Sequence, residues 1–198
     1  FLKGEFDKSL EVAQFGITKF PANAALNRIC FYNLTNQKKY EEALKYADAL
    51  FNKSEKTKIT ESDYLYYGHA YLGMKDYDKA IEMFNKALEN NSDNKQDRSD
   101  ALKNLANAYT AKGDYTNAAQ KYEEYLKTLD KLTASEYAGL GGIYLTQAQE
   151  AEGEEQTQAY QKAAAFYKDL AEKFPNVKDY ATLWQARINS YMDPEMKT

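Results

Sequence analysis

A ten-residue pattern that recurs along the chain constrains the fold more than any other feature. It occurs as "GEFDKSLEVA", "KKYEEALKYA", "KDYDKAIEMF", "GDYTNAAQKY" and "QAYQKAAAFY". The aromatic residues of consecutive copies lie 34, 37, 38 and 45 positions apart, at Phe6, Tyr40, Tyr77, Tyr115 and Tyr160. Self-similarity at such a period is typical of stacked repeats, in which each unit buries its apolar face against its neighbours.

A second pattern precedes three of these copies. It occurs as "YYGHAY" (66–71), "NLANAY" (104–109) and "GLGGIY" (139–144). Its apolar positions recur at steps of three and four, which is the period of an amphipathic helix. Each repeat is therefore predicted to be a pair of helices. Small residues should lie where the two helices approach, so Gly68 is expected opposite Ala80.

The two patterns together resemble the tetratricopeptide repeat, a helix–turn–helix unit of 34 residues. The signature falls on Tyr64, Tyr67, Gly68, Tyr71, Ala80, Phe84 and Ala87, and again on Leu102, Leu105, Ala106, Tyr109, Ala118 and Tyr122. A later copy falls on Tyr137, Leu140, Gly141, Tyr144, Ala163, Tyr167 and Pro175. The resemblance implies an all-α fold: a right-handed solenoid of antiparallel helix pairs, with about four full repeats plus two half-repeats.

The repeats are expected to form a single array over residues 1–198. Its predicted parts are the second helix of a repeat (1–20), four full repeats (22–52, 60–90, 98–130 and 133–175, the last with an insertion at 146–158) and a first helix (177–193). Each end holds half of a helix pair. We therefore expect the natural chain to continue beyond both ends, or these ends to pack on something else.

Composition argues against several functional classes. The net charge is −4, and Lys alternates with Glu and Asp along the predicted helices, which argues against a nucleic-acid binder. Apolar runs are short, so no segment of this fragment is expected to enter a bilayer. The sequence has no Gly-rich phosphate loop, nucleophile elbow or Cys/His metal spacing, so we expect no enzyme activity, no cofactor and no metal.

The remaining composition leaves the compartment open. The one cysteine, Cys30, falls in an inward slot and is expected to be a buried, inert thiol. High Lys, Asn and Tyr usage with three arginines, Arg28, Arg98 and Arg187, points to a bacterial source. Both the bacterial cytoplasm and the periplasm stay possible, because many periplasmic proteins also lack disulfides.

The resemblance also implies a binding surface, because this family often binds extended peptides along a concave groove lined by the first helix of each repeat. The predicted groove residues are Arg28, Tyr32, Leu65, Tyr66, His69, Lys103, Asn107, Ala138, Gly142, Gln185 and Asn189. Lys103 and Asn107 have the spacing that one subgroup uses to clamp a C-terminal carboxylate, but small residues fill the supporting slots. Those small residues either leave a depression for a partner's side chain or are covered by another helix.

The favoured function is a non-catalytic scaffold that binds a peptide or protein partner in this groove. The alternative is a helical module of a larger enzyme, regulator or carbohydrate-uptake or envelope complex. A third hypothesis is self-association through the exposed ends of the solenoid.

Overall fold

The chain is all-α. The computed structural model describes residues 2–54, 57–90 and 95–193, and of residues 2–6 it describes the backbone alone. In these ranges the chain forms ten α-helices joined by turns, with no β-strand. The side chain of Phe6, the first aromatic residue of the repeated pattern, lies outside the described part. Within the described ranges, no helix is both long enough and apolar enough to cross a bilayer.

The chain divides into two compact units, Phe1–Ala101 and Leu102–Thr198. The first unit holds α1 (Leu2–Lys19), α2 (Ala24–Asn36), α3 (Tyr40–Asp48) with a π-helical turn (Ala49–Lys53), α4 (Glu61–Gly73) and α5 (Tyr77–Glu89). Helix α6 (Lys95–Lys112) runs across the boundary. The second unit holds α7 (Tyr115–Thr128), α8 (Ala134–Glu150), α9 (Gly153–Lys173), a 3-10 turn (Pro175–Val177) and α10 (Lys178–Met192).

In the first unit, each helix packs on its neighbours in sequence, and α2 also contacts α4. The core combines apolar residues of α1 to α4, and those from α2 and α3 include Cys30, Phe31, Leu34, Ala43 and Ala47. Cys30 is fully buried, as predicted.

The α4–α5 pair shows how a small residue sets the approach of two helices. A Cβ atom added to Gly68 would overlap the ring of Phe84, which is fully buried. The atoms nearest to that Cβ position belong to Phe84, four residues after Ala80, the residue expected opposite Gly68. One turn of α5 separates the two positions, and the large ring reaches back over the small residue.

In the second unit, α7 packs on α8, α8 on α9 and α9 on α10. Its core includes Leu145, Ala163, Tyr167, Leu170 and Ile188. The segment 146–158, which lengthens the repeat relative to the others, is mostly helical. Only Ala151 and Glu152 lie between the end of α8 and the start of α9, so the extra residues extend both helices.

Two helix starts carry the capping chemistry that their sequences predict. Thr60 caps α4 with Asp63 at the third position, and Thr133 caps α8 with Glu136. In each box the hydroxyl accepts from the backbone N–H of the acidic residue, and the carboxylate accepts from the backbone N–H of the threonine. These bonds satisfy amides that would otherwise have no partner at the start of a helix.

Three turns between paired helices share one backbone geometry. Lys38, Lys75 and Gly113 each have a positive φ, of 61°, 63° and 84°. In each turn, the backbone N–H of the next residue donates to a carbonyl five positions earlier at 2.9 Å, as from Asp76 to Tyr71. This is the Schellman ending of a helix, in which a left-handed residue reverses the chain.

Candidate functional site

Five of the predicted groove residues belong to the first unit and lie on α2 and α4. The carboxylate of Asp63 on α4 binds two of them. Arg28 Nε donates to Asp63 Oδ1 and Arg28 Nη2 to Asp63 Oδ2, both at 2.7 Å. Tyr32 donates its hydroxyl to Asp63 Oδ1 at 2.8 Å. Arg28 Nη2 also donates to the carbonyl of Lys58 at 3.0 Å. The polar groups of both predicted residues are therefore used inside the chain.

Asp63 is fully buried and remains charged at neutral pH. Burial raises the pKa of its carboxyl. The hydrogen bonds from Arg28, the Thr60 backbone and Tyr32 lower this pKa by a larger amount, so the net shift is downward. The carboxylate caps the start of α4 and also connects α4 to α2. It fixes the two helices at one relative position.

Tyr66 lies beside this network. Its ring stacks on that of Tyr32, with centroids 3.8 Å apart and planes 9° from parallel. Tyr66 is half-buried, so part of its ring remains at the surface. Since Tyr32 is held by Asp63, the stack presents Tyr66 in a fixed orientation.

The two other α4 residues of the prediction differ in exposure. Leu65 is buried at 7 % exposure, which makes it a packing residue. His69 is exposed, and its ring meets Phe84 edge-on at a centroid distance of 5.5 Å. Of the five predicted residues in this unit, His69 is exposed, Leu65 is buried, and Arg28, Tyr32 and Tyr66 are half-buried.

In the second unit, Lys103 and Asn107 lie one turn apart on α6, and both are exposed. The ammonium of Lys103 lies 5.2 Å from the centroid of the Tyr125 ring. This cation–π contact directs the lysine along the surface towards α7.

The small residues of α8 do not form one continuous depression. A Cβ atom at Gly139 would overlap the hydroxyl of Tyr122, which donates to the carbonyl of Glu136 at 3.0 Å. Tyr122 thus fills that part of the depression. A Cβ atom at Gly142 would meet no heavy atom within 4 Å, so this position is open, and Ala138 is half-buried one turn before it. The sequence left two alternatives, a depression open to a partner or one covered by another helix. Gly142 fits the first, and Gly139 fits the second.

The last two predicted residues, Gln185 and Asn189, lie on α10, where Gln185 is half-buried and Asn189 is exposed. The sequence analysis missed the aromatic surface beside them. Trp184 stacks on Tyr167 at 5.9 Å, and the guanidinium of Arg187 lies 5.3 Å from the Trp184 ring. Arg187 Nε also donates to the Tyr191 hydroxyl at 2.7 Å. The spacing of Trp184, Arg187 and Tyr191, at i, i+3 and i+7 on one helix face, is the signal that could have found this surface.

The bridging role of Asp63 was also missed. The sequence "TESD" (60–63) indicates the cap of α4 but not this bridge, because the partner of Asp63, Arg28, lies 35 residues earlier. The signal in the sequence that could have indicated this ion pair is an arginine on α2, the first helix of the preceding repeat.

The described residues include one cysteine and one histidine, Cys30 and His69. No group of three or more His, Cys, Asp or Glu residues among them is placed to hold a metal ion. Burial raises the pKa of the Cys30 thiol to about 11, so it stays protonated at neutral pH. What the site residues offer is contact area, cationic charge and hydrogen-bonding groups.

Comparisons with known proteins agree with this fold. A family model described as tetratricopeptide repeat matches residues 61–131. The chain is similar to the C-terminal part of a repeat-containing protein from Cytophaga hutchinsonii, with 22% identity and a TM-score of 0.73, covering 100% of this chain and 70% of that one. No curated protein matches the sequence.

Two further solved structures share the fold at low identity. The MamA protein has 17% identity and a TM-score of 0.69, with 90% of this chain and 88% of that chain covered. BtubC from P. vanneervenii has 20% identity and a TM-score of 0.54, with 96% and 91% covered. Residues 61–131 thus match the tetratricopeptide-repeat model, and the chain shares the all-α repeat fold of these solved structures.

Proposed function

We propose that this protein is a non-catalytic interaction module that binds a peptide or protein segment on the surfaces of its first helices. The observation that carries the proposal is the fixed Tyr32–Tyr66 stack, which the buried Asp63 holds in place beside the exposed His69. Aromatic side chains that are already ordered lose little entropy on binding, and Tyr is enriched at protein interfaces.

The second unit offers a complementary set of groups. Lys103 and Asn107 are exposed on α6, and Gly142 leaves an open position on α8. A partner could place a carboxylate or carbonyl on the two polar side chains. The fold supports protein partners in general, since tetratricopeptide repeats are typically scaffolds.

Site-specific crosslinking tests this proposal. A photoreactive phenylalanine analogue is placed at His69 or at Asn107, and matched control proteins carry it at Glu82 of α5 or at Gln120 of α7. The first pair should crosslink to a common partner from cells of the source organism, and the control pair should not. Equal crosslinking from all four positions, or crosslinking from the control pair alone, would contradict the proposal.

Self-association is a second candidate, because α1 and α10 expose large apolar side chains. Val12, Phe15 and Phe20 on or next to α1 are 70 %, 70 % and 65 % exposed, and Leu183 on α10 is 67 % exposed. Apolar groups at this exposure gain from burial in an interface. Sedimentation velocity of this chain tests the candidate: a concentration-dependent increase in mass that Phe15→Ser abolishes would support it, and a monomer at every concentration would exclude it.

A further inference from the structure

The first unit carries a cleft that the predicted groove residues do not line. It lies between the C-terminal parts of α1 and α3, and its volume is about 720 Å³. The lining includes apolar groups from both sides: Ile17, Pro21, Ala22 and Ala49. A cleft of this size and lining is suited to an apolar side chain of a partner.

Hydrogen bonds fix the walls of the cleft. Asn27, which lines it, is 1 % exposed, and its Nδ2 donates to the carbonyls of Pro21 and Asn23 at 3.0 Å and to Ser54 Oγ at 3.4 Å. Ser54 Oγ donates in turn to the carbonyl of Ala49 at 2.9 Å. The linker after α1 and the π-helical turn after α3 are thereby joined, so the cleft is formed before any partner arrives.

The mouth of the cleft carries two lysines. Lys45 and Lys53 are both exposed there, and Lys53 forms an ion pair with Asp48. The carboxylate at the mouth, Glu42, is half-buried and accepts a hydrogen bond from Gln14 Nε2 at 3.5 Å. Lys45 takes part in none of the ion pairs formed within the described ranges.

A second cavity continues the same surface along α3. Its volume is about 650 Å³, and it shares Glu42 and Lys45 with the first. Two more exposed lysines, Lys38 and Lys39, line it together with Glu41. Three lysines therefore face two carboxylates, in a chain whose net charge is −4. The local charge is opposite in sign to that of the whole chain.

We propose that this α1–α3 cleft is a docking site for an acidic peptide segment with one apolar anchor. The anchor enters between Ile17, Ala22 and Ala49, and acidic residues next to it pair with Lys45 and with the lysines of the second cavity. A lysine-rich helix face alone is usually a solvated surface. The preformed apolar cleft beside these lysines is what distinguishes this face. The site uses α1 and α3, so it does not depend on the proposed groove function.

Titration of the isotope-labelled chain with the N-acetylated, C-amidated peptide EELFEE, followed by amide NMR shifts, tests the proposal. Binding should shift the amides of Ala22, Lys45 and Ala49, and the matched peptide KKLFKK should bind at least roughly tenfold more weakly. Equal binding of the two peptides, no binding of EELFEE up to about 1 mM, or shifts centred on Tyr66 and His69 would each overturn the proposal.

Two variants separate the anchor from the charges. Ala49→Phe fills the cleft and should abolish binding of EELFEE, and Lys45→Glu should weaken it roughly tenfold through like-charge repulsion. Lys86→Glu reverses a lysine of α5 that lies outside the cleft and has a side chain 44 % exposed, and it should leave the affinity unchanged. Circular dichroism checks that each variant is folded. Unchanged affinity in folded Lys45→Glu, or an equal loss in Lys86→Glu, would contradict the proposed site.

Discussion

At the residue scale, Asp63 is the side chain on which the first unit depends most. Its carboxylate caps α4 and accepts from both Arg28 and Tyr32 of α2, and it has no contact with solvent. A buried charge is tolerated only when it is paired and hydrogen-bonded. Its removal leaves the guanidinium and the tyrosine hydroxyl without their acceptor.

We predict that Asp63→Asn lowers the free energy of unfolding by about 3 kcal/mol, since one partner of a largely buried pair is lost. Urea unfolding followed by circular dichroism measures the change. The control is Lys86→Ala, which breaks the exposed pair with Glu82 and should cost less than about 0.5 kcal/mol. Similar losses in the two variants would show that the Asp63 network adds little.

The same residue predicts a pH dependence. The pKa of Asp63 in the folded chain is below its ordinary value of 3.8. Its stabilising contribution is therefore complete above that value and is lost as the pH falls through the lower folded pKa. The free energy of unfolding should decrease between about pH 5 and pH 2, and Asp63→Asn should show a smaller decrease. Identical pH profiles for the two proteins would contradict the downward shift.

At the scale of helices, glycines act at close approaches and at turns. Gly68 lies against the buried ring of Phe84, whereas Gly142 has free space around it. Both lie inside helices, where alanine has the higher intrinsic propensity. The packing around each position therefore decides whether a change to alanine raises or lowers the free energy of unfolding.

Gly68→Ala should lower the free energy of unfolding by about 1–3 kcal/mol, because the new methyl group overlaps a ring that cannot move out of the core. Gly142→Ala should raise it by about 0.5–1 kcal/mol, because it gains helix propensity without a clash. Thermal and urea unfolding of the pair provide the comparison. A stabilised Gly68→Ala would refute the packing of α4 on α5 described above.

The left-handed turns give a second test at this scale. Lys75 has a φ of 63°, which costs a residue with a Cβ atom about 1 kcal/mol, while Gly113 adopts the same region without strain. Lys75→Gly should therefore stabilise the chain by about 0.5–1 kcal/mol, and Gly113→Ala should destabilise it by a similar amount. A lower free energy of unfolding for Lys75→Gly, or a higher one for Gly113→Ala, measured by denaturant unfolding, would contradict the turn geometry.

Local features of this chain can be predicted from its sequence more readily than contacts between helices. The capping boxes at Thr60 and Thr133 and the turn before Tyr77 depend on neighbouring residues, so the sequence predicts them directly. The Gly68–Phe84 contact and the Arg28–Asp63 pair depend on how two helices are rotated about their axes. Amphipathic periodicity identifies the buried face of a helix but not its rotation to within one residue.

At the scale of the whole molecule, the predicted groove residues divide into those used within the chain and those that remain exposed. Among the predicted groove residues, Arg28, Tyr32 and Leu65 are engaged in packing or in the Asp63 network. Tyr66 and Gly142 are half-buried, and His69, Lys103, Asn107 and Asn189 are exposed. Exposure could not be predicted from the repeat alignment alone, because it depends on which polar groups find partners elsewhere in the chain.

The central claim is that a partner binds to the first helices of the repeats. Measuring partner binding by a matched pair of double variants tests this claim most directly. The affinity of a crosslink-identified partner is measured by calorimetry for the unmodified chain, for Lys103→Ala with Asn107→Ala, and for Gln120→Ala with Lys127→Ala. The first double variant removes two exposed groups from α6, and the second removes two from α7. Interaction through the first helices predicts at least a roughly tenfold loss in the α6 variant and no loss in the α7 variant. Unchanged affinity in the α6 variant, with the loss confined to α7, would contradict it.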